Sequence, residues 1–195
     1  MKIGLFFGSF NPIHHGHLIM ASYMAYETDL ERVWLVVSPQ NPLKPAASLL
    51  NEYQRLHLVK LAVEADPRLE ASAIEFSLPR PSFTADTMAY LLEKYPQHQF
   101  AIIMGSDSLQ NFPRWKNASW LQTHIAFYIY PRAGFPVNAE DLPKHWQVVN
   151  APLLNISASL IRKRIREGKP IRYFVPDAVA KEIENSHYYR ETTPA

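Results

Sequence analysis

Three histidines stand within four positions in the stretch G-S-F-N-P-I-H-H-G-H-L, residues 8–18. Imidazoles this close can ligate a metal, donate N–H groups to negative charge developing on phosphoryl oxygens, or simply pack in a core. Gly8 permits close backbone approach, and Asn11-Pro12 favours a turn. A helix starting near Gly16 would present unpaired N–H groups and the positive end of its dipole, which suits phosphate. His14 and His17 can converge from the two sides of that junction, whereas His15 is assigned to structure. A metal would find few partners nearby, since no Asp, Glu or Cys stands between Met1 and Tyr26. The residues alone favour phosphate and leave metal and packing open.

The opposite end of the chain holds its most basic segment, N-I-S-A-S-L-I-R-K-R-I-R-E-G-K-P-I-R, residues 155–172. Between positions 162 and 172, six Lys or Arg face one Glu. Lys163, Arg164 and Arg166 read as a solvated helix face. Ser157, Ser159 and Arg162 read differently: two hydroxyls at a helix N-terminus and a guanidinium one turn on form a second anion site. Two helix N-termini aimed at one crevice would suit a triphosphate. Lys44, in a proline-rich loop, and Arg132, just past H-I-A-F-Y-I-Y, are further cations at predicted strand ends, and each is equally well a plain loop charge. In M-G-S-D-S-L-Q-N-F-P-R-W (104–115), Asp107 could accept ribose hydroxyls or cap a short helix. Trp115 could stack on a flat ring or pack in the core. Thr84 could cap its helix and face a ligand as well.

These residues need elements to position them. K-I-G-L-F-F (2–7), V-W-L-V-V-S (33–38), L-E-A-S-A-I-E-F (69–76), Q-F-A-I-I-M-G (99–105) and H-I-A-F-Y-I-Y (124–130) read as strands, mostly continuous apolar runs, with Q-V-V-N (147–150) as a short last one. Between them the spacing predicts helices over 16–28, 51–65 and 84–95, the last with Thr84 as N-cap, and a helix-like stretch over 114–122. Past the sheet, one helix capped by Ser157 or Ser159 ends near Gly168, and another spans 175–186 with Pro176 at its start. Residues 133–146 read as loop. Alternation of buried strands and helices predicts an α/β, Rossmann-like, doubly wound parallel sheet with helices on both faces and a small C-terminal helical segment. In such a fold, ligands bind beyond the carboxyl ends of the strands where strand order switches. The expectation is one domain over 1–188 with 189–195 as a frayed tail.

Composition narrows the chemistry further. The chain of 195 residues is 47% hydrophobic and 19% charged, with a net charge of +2, so nothing calls for nucleic acid or a membrane as partner. Cysteine is absent, which excludes disulfides, zinc fingers and thiol nucleophiles. The first apolar run is too short for a signal peptide, and no run is long enough to span a bilayer, so a soluble cytoplasmic protein is expected. A homo-oligomer is compatible with all of this. The G-x-G-x-x-G, Walker A, G-x-S-x-G and H-E-x-x-H patterns are all missing.

G-S-F-N-P-I-H-H-G-H-L resembles the G-x-F-x-P-x-H-x-G-H signature of the nucleotidyltransferase superfamily. I-S-A-S-L-I-R is similar to that superfamily's second signature, I-S-S-T-x-I-R. N-P-L-K, P-S-F-T-A-D-T-M-A-Y-L, M-G-S-D-S-L-Q-N-F-P-R-W, Y-P-R-A-G-F-P and V-P-D-A-V, in this order, resemble the bacterial nicotinate-nucleotide adenylyltransferases over residues 1–188. The resemblance implies that ATP and nicotinate mononucleotide combine to give deamido-NAD and pyrophosphate, with Mg²⁺ arriving on ATP, no separate metal site, and no covalent intermediate. It implies catalytic roles for His14, His17, Lys44 and Arg162, and ATP binding at Gly8, Ser9, Phe10, Gly105, Asp107, Ser157 and Ser159. Thr84, Trp115, Lys116 and Arg132 would take the nicotinate nucleotide. Nicotinamide mononucleotide or another acceptor, or a nucleotide-binding regulator without turnover, are the alternatives. Four positions depart from the family pattern: Asn11 replaces Asp, Leu43 replaces His, Ala158 replaces Ser and Ser159 replaces Thr.

Overall fold

The apolar runs read as strands each contribute a strand to one sheet. The computed structural model describes residues 1–40 and 49–190. β1 (Lys2–Gly8), β2 (Arg32–Val37), β3 (Leu69–Ser72), β4 (Gln99–Gly105), β5 (Ala126–Tyr130) and β6 (Gln147–Val148) lie in the order β3-β2-β1-β4-β5-β6. Every pairing is parallel, with Gly8 opposite Val37 and Phe6 opposite Ile103. The helices are α1 (His15–Glu27), α2 (Glu52–Val63), α3 (Thr84–Lys94), α4 (Ala118–His124), α5 (Ala158–Arg166) and α6 (Asp177–Asn185).

Successive side chains of a strand point to opposite faces, and this alternation builds two cores. Phe6, Ala101, Ile103 and Tyr128 join Met24 of α1, Val59 of α2, Ile161 of α5 and Val179 of α6. Leu5, Ile102, Met104 and Phe127 join Met88 and Leu91 of α3 and Leu121 of α4. Strands buried on both faces account for the near-continuous apolar runs, and the doubly wound α/β expectation holds. Strand order reverses direction at β1, so a crevice opens between β1 and β4 at their carboxyl ends.

Local expectations needed three corrections. β3 ends at Ser72 and a 3₁₀ turn, Ile74–Ser77, replaces the rest of the predicted strand. β3 is an edge strand with one partner, and curling there carries Glu75 inward to the Thr87 hydroxyl. Thr84 is the first residue of α3 rather than its cap; extended Phe83 holds the cap position and its carbonyl accepts from Asp86 and Thr87. The helix-like stretch 114–122 divides into a 3₁₀ segment, Ser106–Arg114, and α4. At the C-terminus, Tyr189 packs with Tyr188 against the first core. Lys44 and Leu43 lie outside the described residues. Among the described residues, no helix is long and apolar enough to cross a membrane.

Candidate active site

The loop that leaves β1 turns twice before α1 begins. Phe10 takes a left-handed conformation (φ 44°), one that a bulky residue adopts only when its surroundings impose it. What imposes it is packing: the Phe10 ring is 2% exposed, meets Phe6 edge-on at 5.9 Å and meets His17 edge-on at 5.0 Å. Asn11 then joins Pro12 through a cis peptide bond. Asn11 is buried, and its Oδ1 accepts from the Leu50 N–H at 3.1 Å. The position that departs from the family pattern is therefore a bracket between two loops.

His14 holds the N-cap position of α1 with extended backbone, yet its ring caps nothing. The ring instead stacks on His17, centroids 3.7 Å apart and planes 22° from parallel. A Cβ at Gly16 would stand 3.1 Å from the His14 ring, so a glycine is what lets the imidazole fold back over the helix. Burial, reinforced by the positive charge of His15 and Arg132, pushes the His14 pKa down to about 4. His14 is therefore neutral at pH 7, and its buried Nδ1 has no hydrogen-bond partner. The first turn of α1 is less open than the sequence implied. His15 donates its N–H to Phe174 at 3.0 Å, and His17 donates its own to His14 at 2.9 Å. The C-terminal segment has taken part of the donor set expected for an anion.

The second basic segment reaches the first directly. Of the two serines the sequence offered as caps, Ser157 caps α5 by accepting from the Leu160 N–H at 3.2 Å, and Ala158 is the first helical residue. Arg162 donates through Nη1 to the Asn11 carbonyl at 2.7 Å and through Nη2 to Ser159 Oγ at 3.3 Å. Thus the two signature segments, 151 positions apart along the chain, meet at one carbonyl.

Beyond β4 and β5, Gly105, Asp107 and Arg132 form a third group. A Cβ at Gly105 would collide with Asp107 Oδ1 and come within 3.1 Å of Arg132 Cγ, so a side chain there would displace the Asp107 carboxylate from this position. Arg132 Nε stands 3.8 Å from Asp107 Oδ1, and both residues are substantially exposed. Ser106 ties the loops together, accepting from the Arg132 N–H at 2.8 Å and donating to the Phe135 carbonyl at 2.7 Å. Arg132, expected from the sequence to serve the nicotinate nucleotide, makes its contacts here with Asp107 and Tyr130. A fourth group does gather Thr84, Trp115 and Lys116. Lys116 pairs with Asp86 of α3 at 2.8 Å and lies over the Phe83 ring, while half-buried Trp115 packs on Phe112.

Two buried charged residues had no signal in the sequence. Glu75 is 2% exposed, and burial raises its pKa, with the hydrogen bond from Thr87 Oγ1 at 2.9 Å partly opposing the rise. Arg55, on α2, is 0% exposed. Each sits among residues that read as ordinary helix or strand, and no local pattern marks a polar residue that tertiary packing turns inward. Among the described residues, no group of three His, Cys, Asp or Glu is placed to hold a metal ion.

The cytidylyltransferase-like family model matches residues 5–164. Over 189 residues the chain is 50% identical to a Cytophaga hutchinsonii protein named "Probable nicotinate-nucleotide adenylyltransferase", covering 97% of this chain and 98% of that one. A Flavobacterium psychrophilum protein of the same name is 45% identical over 193 residues, covering 98% of this chain and all (100%) of the relative. Among solved structures, Plasmodium falciparum nicotinic acid mononucleotide adenylyltransferase complexed with NaAD matches with a TM-score of 0.81, covering 96% of this chain and 97% of that one. Its sequence identity is 21%, so that likeness speaks for the fold.

Proposed function

The chain belongs to the cytidylyltransferase-like family, and from that premise we propose that it joins ATP to nicotinate mononucleotide, releasing pyrophosphate and forming deamido-NAD. A phosphate oxygen of the mononucleotide attacks the α-phosphorus of ATP; the new P–O bond forms as the bond to the pyrophosphate oxygen breaks. No protein nucleophile is needed, so catalysis consists of placement and charge stabilisation.

The observation that carries this reading is the junction of the His14–His17 stack with the α5 N-terminus through Arg162 and Asn11. His14 and His17 donate to the α-phosphoryl oxygens as charge gathers there, and a neutral His14 can donate from one nitrogen without bringing a buried charge. The β- and γ-phosphates take the free N–H groups of α5, the Ser157 and Ser159 hydroxyls and the guanidinium of Arg162. Lys44 adds a further cation from its loop. Gly105 and Asp107 receive the adenosine, with Gly8, Ser9 and Phe10 beside the reacting groups. Thr84, with its hydroxyl not spent on capping, Trp115 and Lys116 receive the nicotinate. Arg132, paired with Asp107 and close enough to lower the His14 pKa, fits the boundary between the two substrates.

Magnesium enters as part of the ATP substrate, its ligands phosphate oxygens and water. The protein's donor set suits that arrangement: imidazoles, hydroxyls and cations are described around the crevice, and the Asp107 carboxylate is paired with Arg132.

Pyrophosphate release, measured with ATP and each of nicotinate mononucleotide, nicotinamide mononucleotide and phosphopantetheine, tests the proposal. The expected result is release with nicotinate mononucleotide at the highest kcat/KM. A preference for another acceptor reassigns the substrate, and no release with any of them leaves a nucleotide-binding protein.

A further inference from the structure

A buried cation lies beneath the crevice, and the transfer scheme does not use it. Arg55 is wholly enclosed, and no ion pair neutralises it among the described residues. Its N–H groups are spent on backbone carbonyls of three loop segments, one after β1 and two in the connection between β2 and α2. Nη1 donates to Ser9 at 2.6 Å and to Ser38 at 2.9 Å, Nη2 donates to Pro39 at 3.1 Å, and Nε donates to Leu50 at 2.8 Å. Ser9 follows β1, Ser38 and Pro39 follow β2, and Leu50 leads into α2. A planar fork with five fixed donors can hold three such segments at once; an ammonium on one nitrogen cannot.

Holding the Ser9 carbonyl has a consequence on the other side of the same peptide. In a trans peptide the C=O and the following N–H point in opposite directions. With the Ser9 oxygen drawn down to Arg55, the Phe10 N–H is turned up, away from the guanidinium. No described group accepts from that N–H. Phe10 is also the residue held at φ 44°, so the peptide's orientation is imposed from both sides.

We propose that Arg55 is a positioning residue of the transfer reaction: by fixing the Ser9 carbonyl it aims the Phe10 N–H at the phosphoryl oxygens of the nucleotide. The inference rests on the adenylyl-transfer reading for the identity of that anion. A cation kept underground also lends positive potential to the crevice, but charge alone is not its task. Arg55→Lys separates the two roles, because it keeps the charge and loses the fork.

The experiment has two arms. In the first, kcat and KM are measured for wild type and Arg55→Lys well below their unfolding temperatures. The expected outcome is a fall in kcat of about 10²-fold, the scale of a misplaced catalytic group, with ATP KM within about threefold. Methylguanidinium added to Arg55→Ala is expected to restore part of kcat, and methylammonium to restore none. A folded Arg55→Lys enzyme turning over at the wild-type rate overturns the proposal, as does a loss carried by unfolding alone. The second arm uses wild type, and so stands even where the variants do not fold: exchange of the Phe10 amide proton is followed with and without ATP. Slowed exchange is expected, and unchanged exchange overturns the proposal. Wild type that releases no pyrophosphate while ATP protects Phe10 would sink the transfer reading and leave the loop assignment standing.

Discussion

His14 and His17 share a stack, and their chemistry is separable by substitution. His17→Ala removes a donor to the developing charge while leaving α1 and its buried Met20, Ala21 and Met24 in place. Steady-state turnover is expected to fall by about 10²-fold or more, with little change in unfolding temperature. A turnover near the wild-type value would take His17 out of the catalytic set. His14 makes a prediction about pH. Its folded pKa is about 4 against 6.5 for a free imidazole, so between those values the unfolded chain binds the proton and the native chain does not. Stability from this group is therefore full above pH 6.5 and is withdrawn as pH falls toward 4, by up to about 3 kcal/mol. Urea unfolding of wild type and His14→Gln across that range checks it; the wild-type curve should fall more steeply in acid. ATP binding brings negative charge to the same imidazole and raises its pKa, so calorimetry near pH 5.5 in two buffers should register proton uptake.

At the scale of elements, the start of α3 and the 3₁₀ segment Ser106–Arg114 enclose the region assigned to nicotinate. Trp115 ends that segment, and Lys116 ties it to Asp86 of α3. Trp115→Ala should raise the mononucleotide KM by tenfold or so while leaving the ATP KM nearly unchanged, the scale of a lost base-stacking platform. Equal effects on both substrates would make Trp115 core. The elements were legible in the sequence where one physical signal dominated. β1, β4 and β5 are buried on both faces and read as apolar runs, and Ser157 caps α5 as its hydroxyl and position suggested. Legibility failed where long-range contacts outweighed local pattern. The end of β3 curls so that Glu75 meets Thr87, and Arg55 is drawn from a helix face to carbonyls of the loop after β1 and of the β2–α2 connection. The occupation of the α1 N-terminus by the Phe174 carbonyl depends on a segment far along the chain. Site residues carried by the two signatures were readable because both signatures are local strings. The company Arg132 keeps was not, since Asp107 and Ser106 come to it across β4 and β5.

Over the whole molecule, the chain's two ends converge on one crevice. Arg162 and Phe174 hold the loop and helix that follow β1, and Tyr188 and Tyr189 close over the core beside α2 and α6. The Tyr189 hydroxyl is enclosed without a hydrogen-bond partner, and burial raises its pKa. An unsatisfied buried hydroxyl is a cost, so Tyr189→Phe should stabilise the fold by up to about 1 kcal/mol, whereas Tyr189→Ala should destabilise it by about 2 to 4. Thermal unfolding of the two variants beside wild type decides this; a destabilised Phe variant would mean that the hydroxyl has a partner.

The hydrogen bond from His15 to Phe174 also sets a schedule for manufacture. A ribosome releases β1 and its histidines first, and the sheet can begin to pair long before synthesis ends. The nucleotide crevice cannot be complete at that stage, because Asn11 still lacks Arg162 and the α1 N-terminus still lacks Phe174. A nascent or prematurely terminated chain therefore carries the histidine cluster without the partner that arranges it. The crevice is assembled only after α5 and the segment carrying Phe174 have left the exit tunnel and docked.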